Sequence, residues 1–374
     1  MKIAILAIGG VDRSGTDRVI PCLLWLIDHL ARAGHEVHVF VPKQEPTAAT
    51  WPLLGATIHN AGAGPWRWRT LRSIAREHRK SAFDIVHAFW SSMGFVAALA
   101  GMALKAPMVL TLPGGDLVSF PEIGYGGLLS WRGRAELRVA ARAARRTTVP
   151  SQYMRDLATR QEIETVIVPL GVDLRQWPPS PPRPRDASRP IRLVHVANLN
   201  RVKDQPALLR AACLLKAQEL AFEVRIIGFD TMGGEMQRLA KRLGMEDEIS
   251  FVGMVADRGR LRRHYEWADL LVMTSLHEAG PVVMLEAALA GVPTVGTRVG
   301  HMADQAPEAV VAVPARDPAA FAEAIRALAT DEACRLRIAK AAQSFAIEHD
   351  AARTTTMFTE IYRDAALRHY AAPR

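Results

Sequence analysis

The run Ser275-Leu-His-Glu-Ala-Gly-Pro-Val-Val-Met-Leu-Glu-Ala-Ala-Leu-Ala-Gly-Val-Pro293 decides how this chain folds. Upstream of it, Ala268-Asp-Leu-Leu-Val-Met-Thr-Ser275 is a short apolar stretch, as in a strand buried on both faces. Downstream, Val282 to Ala290 is apolar at helical length. Gly280 and Pro281 interrupt the two, so the run is a strand, a loop and a helix. Two carboxylates eight positions apart bracket the loop, with Glu278 inside it and Glu286 on the first turns of the helix. A helix that starts at such a loop offers unpaired N–H groups and the positive end of its dipole. That end suits a phosphate, and acids beside it can hold sugar hydroxyls through charge-assisted hydrogen bonds. The plainer alternative is one acid capping the helix and one on its surface.

Outward from this run, apolar strand-like segments alternate with helical patterns, which predicts parallel sheets with crossover helices. Strands are expected at Ile3–Ala7, Glu36–Val41, Ile85–Ala88 and Met108–Leu112, with a buried helix over Leu23–Ala33 that stops before Gly34. A second series restarts at Ile191–Val196 and continues through Val224–Ile227, Ile249–Val252, Leu270–Thr274 and Thr294–Thr297. Between the series lies Pro178-Pro-Ser-Pro-Pro-Arg-Pro-Arg-Asp-Ala-Ser-Arg-Pro190, which continues neither a helix nor a central strand. Two Rossmann-like doubly wound α/β domains facing a cleft follow. The boundaries are a first domain over 1–180, a Pro-rich linker over 181–190, a second domain over 191–350, and a C-terminal helix over 351–374, which the resemblance described below implies crosses back to the first. The helical pattern from about 333 to 370 has a break near Asp350.

A chain of 374 residues is too long for one ordinary core. Cys22, Cys213 and Cys334 are odd in number and widely spaced, which argues for a reducing compartment and against a disulfide framework or a zinc site. The start, Met-Lys-Ile-Ala-Ile-Leu-Ala-Ile-Gly-Gly, is too short for a signal peptide and is taken as the first strand. Ala88 to Leu104 is uncharged and near spanning length, but Ser91, Ser92, Gly94 and Gly101 interrupt it, so it is expected to be a strand end and a packed helix. The net charge of +9 is uneven. Residues 1–185 hold 23 Lys and Arg against 14 Asp and Glu, and the remainder balances. Arg67, Arg69, Arg72, Arg76, Arg79 and Lys80 fall on one candidate helix, and Arg132, Arg134, Arg138, Arg142, Arg145 and Arg146 on another. Solvated helix faces explain this, and so does an anionic lipid surface or acceptor. Nucleic acid lacks a supporting motif despite the high pI.

The spacing of Glu278 and Glu286 resembles the E-x7-E signature of retaining glycosyltransferases of family four, which have the GT-B fold. Further segments carry the likeness. Thr16-Asp-Arg-Val and Gly34-His-Glu-Val resemble the family's first glycine loop and the end of its first helix. Val168-Pro-Leu-Gly-Val-Asp173 resembles its hinge element, and Leu193-Val-His-Val-Ala-Asn-Leu-Asn-Arg-Val-Lys-Asp204 its donor loop. Ile226-Ile-Gly-Phe-Asp and Phe251-Val-Gly resemble later strand ends of the nucleotide domain.

The resemblance implies roles residue by residue. Lys203 is the cation for the donor diphosphate. The family's arginine falls on Asn198, an uncharged donor, and Arg201 three positions on could replace it or simply face solvent. Glu286 is expected on the ribose hydroxyls and Glu278 on the donor sugar, with Gly280, Pro281, Val282 and Val283 near sugar and phosphate. Pro281 has no N–H to give. Gly15 is expected to let the backbone approach the donor phosphate, and Gly228 to shape the base and sugar pocket. Many relatives carry a histidine at the position of Pro113; Asp116 or His87 on the acceptor side could take over part of its role, and equally Asp116 reads as a turn residue and His87 as a satisfied strand-end histidine. No metal spacing of the D-x-D type is present, so neither metal nor cofactor is expected. The implied activity is retaining, metal-independent transfer of a sugar from a UDP- or GDP-type donor to a glycan or glycolipid acceptor in cell-envelope polysaccharide or glycoconjugate assembly. The setting would be cytoplasmic, either free or peripheral at the inner membrane face. A sugar-nucleotide epimerase and a non-catalytic sugar-nucleotide binder are the rival readings.

Overall fold

A computed structural model describes residues 1–371. The chain divides into two compact units, Met1–Gly171 with the segment from Asp350, and Val172–His349.

The first unit runs β1 (Lys2–Leu6), α1 (Pro21–Arg32), β2 (Glu36–Val41), β3 (Ala49–Leu53), β4 (Ala56–Asn60), α2 (Trp66–Lys80), β5 (Ile85–Phe89), α3 (Ser91–Leu104), β6 (Met108–Thr111), α4 (Trp131–Ala143), β7 (Arg146–Val149), α5 (Gln152–Thr159) and β8 (Val166–Ile167). Its sheet has the order β3-β4-β2-β1-β5-β6-β7-β8 and is parallel except for β3, which pairs antiparallel with β4 at the edge. Every residue of β1 and β5 is buried, as parallel strands covered on both faces require. Ser130 and Ser151 cap α4 and α5 by accepting from the N–H groups of Gly133 and Met154. The segment 88–104 is a strand end and α3, and no described helix is long and apolar enough to cross a membrane.

The second unit runs β9 (Ile191–Val196), α6 (Gln205–Ala217), β10 (Phe222–Ile227), α7 (Glu235–Arg242), β11 (Ile249–Gly253), α8 (Arg258–Trp267), β12 (Leu270–Met273), α9 (Val282–Leu289), β13 (Thr294–Thr297), α10 (His301–Asp304), β14 (Val310–Val313), α11 (Pro318–Thr330) and α12 (Glu332–Glu348). Its sheet is wholly parallel in the order β11-β10-β9-β12-β13-β14. The final helix, α13 (Ala351–Ala371), belongs to the first unit and packs on α1 and against β5 and β6.

Both sheets reverse their winding beside their first strand, between β1 and β5 and between β9 and β12. Loops at the carboxyl ends of such a pair are where ligands enter open α/β sheets. The chain changes unit at Gly171–Val172 and at His349–Asp350, so the first boundary lies ahead of the expected 180. The proline-rich run is not a free linker. Ser180 donates its N–H to Leu289, Arg183 gives its carbonyl to Arg335, and Arg185 donates its N–H to Glu332, all within the second unit. Proline excludes regular elements but does not forbid packing along a domain surface. The crossing falls within Val168–Asp173, where Thr354 donates to the Pro169 carbonyl and accepts the Gly171 N–H.

Candidate active site

In the second unit the loops after β9 and β12 are stitched together at the switch point. Leu276 donates its N–H to Val202, and the Thr274 hydroxyl donates to the Lys203 carbonyl. This brings Lys203 Nζ to 2.6 Å from Glu278 Oε1, across 75 positions of sequence. Ser275 Oγ donates to the same oxygen at 2.7 Å. The two charged side chains are 22% and 11% exposed, so the pair is half-sheltered yet reachable from solvent. Lys203 is therefore not the bare cation that its place in the loop implies. It already holds a carboxylate, and a diphosphate would enter by exchange.

The helix α9 starts one residue after Gly280-Pro281, with Pro281 as its N-cap residue and no side-chain cap. Its first residues, Val282 and Val283, are half-buried and stand at the donor-rich end of the helix. Glu286 is on the next turn and is only 4% exposed. Its Oε2 accepts from the Tyr265 hydroxyl at 3.0 Å. Burial pushes its carboxyl up to about 7, against the pull of Tyr265 and the nearby Arg258. A buried carboxyl with one hydrogen bond has capacity to spare, which suits it to accept from a further pair of hydroxyls.

Arg201 opens a short 3-10 turn, Arg201–Lys203, and is exposed. Asn198 is also exposed, but its Oδ1 accepts the Phe229 N–H at 3.2 Å, which ties the β9 loop to the β10 loop. Gly228 sits at that junction with φ +154°, and a side chain there would collide with the Ala197 carbonyl. Its glycine is required by the approach of two backbones.

The residues assigned to the first unit divide. Gly15 has φ +69° in a loop braced by Asp12, whose carboxylate takes the Ser14 N–H and Oγ and the Arg18 guanidinium. A Cβ at Gly15 would meet only ordinary contact with Leu53, whereas one at Gly10 would collide with Ile20. The tighter glycine is thus Gly10. His87 does not face a site. It is fully buried, with Nδ1 2.7 Å from the Tyr362 hydroxyl and Nε2 2.7 Å from Thr111 Oγ1. Burial holds its imidazole down to about 3, so it is neutral and structural. Asp116 is 6% exposed and lines a hollow of about 440 Å³ with Trp90, Tyr125 and Arg132. Its Oδ1 accepts from both Ser91 N and Ser91 Oγ at 2.8 Å, while Oδ2 has no hydrogen-bond partner. Burial pushes this carboxyl up against the Ser91 bonds. Pro113 is half-buried just ahead of it, after β6.

Sequence reasoning passed over Ser275, Tyr265 and Arg258. Ser275 stood in the run quoted first and carried no charge to draw notice. Tyr265 and Arg258 lie on α8, a helix that precedes its strand and meets Glu286 only in the fold.

The chain matches two family models, one described as Glycosyltransferase Family 4 over residues 23–176 and one as Glycosyl transferases group 1 over residues 190–331. It is 28% identical to a D-inositol 3-phosphate glycosyltransferase of Geodermatophilus obscurus, over 73% of this chain and 68% of the relative. Its fold is similar to that of sucrose-phosphate synthase from Thermosynechococcus elongatus, with TM-score 0.79, 19% identity, and 97% and 98% of the two chains covered. It is also similar to Anabaena HepE in complex with UDP-glucose, with TM-score 0.73, 19% identity, and 97% and 100% covered. Two doubly wound units, family matches in both of them and these neighbours together make the chain a family-four glycosyltransferase of the GT-B fold.

Proposed function

We propose that the protein is a cytoplasmic retaining glycosyltransferase. In this reading it moves a sugar from a UDP- or GDP-sugar to a hydroxyl of a glycan or glycolipid acceptor in cell-envelope polysaccharide or glycoconjugate assembly. The observation that carries the reading is the Lys203–Glu278–Ser275 cluster ahead of the first turn of α9, with Glu286 buried behind it. The neighbour crystallised with UDP-glucose supports the choice of a uridine donor.

The chemistry follows from exchange of partners. The donor diphosphate takes the Lys203 ammonium, and the α9 N–H groups add their partial positive charge. Glu278, released from Lys203 but still held by Ser275, accepts from sugar hydroxyls. Glu286 accepts from the ribose. The bond between the anomeric carbon and the diphosphate oxygen then breaks, and the acceptor oxygen bonds to that carbon on the same face. The acceptor proton passes to the departing phosphate oxygen, so no protein nucleophile is needed. The protein's contribution is fixed charge where the leaving group gains it. Lys203 supplies charge of the kind a bound cation would give, and transfer is expected to survive EDTA.

A thermal-shift panel of UDP-, GDP-, ADP- and TDP-sugars, with wild type beside Glu286→Ala, tests the donor site. One nucleotide class should raise the wild-type melting point by mass action and leave the variant unmoved. Equal shifts in both proteins would remove Glu286 from the site. An α-linked product from an α-linked donor, read by NMR, is expected, and inversion would refute the retaining course.

A further inference from the structure

In the first unit, α3 packs between α2 and α4 on one face of the sheet. The outer helices repeat one pattern. On α2, Trp68 is followed at helical spacing by Arg72, Arg76 and Arg79, all exposed. On α4, Trp131 is followed by Arg134, Arg138 and Arg142, again all exposed. The tryptophans are 69% and 77% exposed. Each stands in the first turn of a helix that runs back against parallel strands, so both lie at the carboxyl edge of the sheet. Between them α3 exposes Leu99 and, at 66%, Met102. The Arg67 guanidinium reaches Glu136 at 2.5 Å and so ties α2 to α4 across the start of this layer.

Two features set this face apart from ordinary solvated helices. First, among the described residues, Arg72, Arg76, Arg79, Arg138 and Arg142 make no side-chain hydrogen bond or ion pair. Like charges at i,i+4 repel, so an arginine ladder without acids weakens its own helix. Second, large apolar groups stand exposed among those charges, and tryptophan prefers a boundary where one side is apolar and the other wet. The α4 ladder also walls an open groove of about 830 Å³, whose lining adds Arg145, Arg146 and Arg160 against Glu162 and Glu164.

We propose that the outer face of α2, α3 and α4 docks on an anionic lipid bilayer. Trp68 and Trp131 enter the interface at one end, and the two arginine ladders lie on headgroup phosphates. The hollow holding Asp116 opens at the same edge of the sheet, where α4 begins. The docking does not rest on the transfer reaction.

The test is co-sedimentation of the full chain with phosphatidylcholine vesicles and with vesicles containing about one-third phosphatidylglycerol. Binding is expected only to the anionic vesicles and should weaken as salt rises. Arg72→Ala with Arg138→Ala should lower partitioning roughly thirtyfold, at about one headgroup attraction per arginine. Trp68→Ser with Trp131→Ser should lower it at least as far, with a donor-induced thermal shift unchanged as a check on folding. Equal binding to both vesicle types, no binding to either, or undiminished binding by the tryptophan variant would each overturn the proposal. Displacement of the protein from vesicles by a short oligonucleotide at equal phosphate concentration would also overturn it, in favour of a nucleic-acid surface.

Discussion

The switch points of the two units are built alike, yet they use their ionisable side chains in opposite ways. In the second unit, Lys203 and Glu278 meet at the loop tips, partly exposed, and each is the other's partner. In the first unit, His87 sits inside β5 with both ring nitrogens bonded and no surface. A half-exposed pair held between two loops can trade partners with a ligand, because water and the ligand replace what is lost. A buried group with every bond satisfied cannot move without leaving the Tyr362 hydroxyl unpaired. On the proposed function, partner exchange, more than charge or residue type, is what would distinguish the donor site from a structural cluster in this protein.

The sharpest way to break that distinction is Lys203→Ala. If the ammonium stabilises the departing diphosphate, transfer should fall by about 10²- to 10³-fold, comparable to the loss of one preorganised donor. Kinetics under saturating acceptor would show it, and a loss below tenfold would return Lys203 to a role in tying the loops. The counterpart in the first unit is His87→Leu, which should cost about 3 kcal/mol in denaturant unfolding by stranding the Tyr362 hydroxyl. Donor affinity should stay unchanged. A donor KM that rose with stability intact would put His87 back in the site.

Glu286 allows a comparison by pH. Its folded value of about 7 lies above its ordinary carboxylate value, so the neutral form is favoured in the fold. The resulting stability is present below about pH 4.5 and is lost as pH rises through 7. Glu286→Gln mimics the neutral form. It should exceed wild type by up to roughly 3 kcal/mol at pH 8 and converge with it in acid, read by urea unfolding of the empty protein. The buried histidines run the other way. His87 is held down to about 3, and His59, His195 and His301 to about 4. Their stability is present above pH 6.5 and lost as pH falls towards those values. If the donor ribose binds the ionised Glu286, as proposed, donor affinity should weaken about tenfold per unit below pH 7. Glu286→Gln should bind donor tenfold or more weakly at pH 8 and lose that slope.

Much of this was legible beforehand. β2, β9 and β13 lie where alternating apolar runs put them, because strands buried on both faces read continuously. The hairpin β3–β4 was not legible. Pro52 stands in β3, and proline is tolerated there only because the strand is an edge. The proline-rich run read as a linker for a related reason, since composition reports what cannot form but not what a segment packs on. Lys203 and Glu278 were each marked by their surroundings, but their bond depends on β9 lying beside β12, and strand order is not written locally. His87 could not be decided from sequence, because a histidine near a strand end has the same signature whether it faces a pocket or Tyr362.

Asp116 lies between the two cases and offers the smallest and most instructive change. One of its oxygens is spent on Ser91 at the start of α3, as a structural acid's would be. The other has no partner and borders the hollow beside Trp90 and Tyr125. Asp116→Asn keeps an acceptor for Ser91 and replaces the second oxygen by an amide. If the side chain is only a brace, unfolding should shift by no more than about 1 kcal/mol and acceptor KM should hold. If Oδ2 receives an acceptor hydroxyl, acceptor KM should rise roughly fivefold while donor KM stays constant, as one lost hydrogen bond of about 1 kcal/mol requires. A split between the two KM values would show that the first unit keeps one exchangeable carboxylate after all, on the side of the reaction that the sequence marks least.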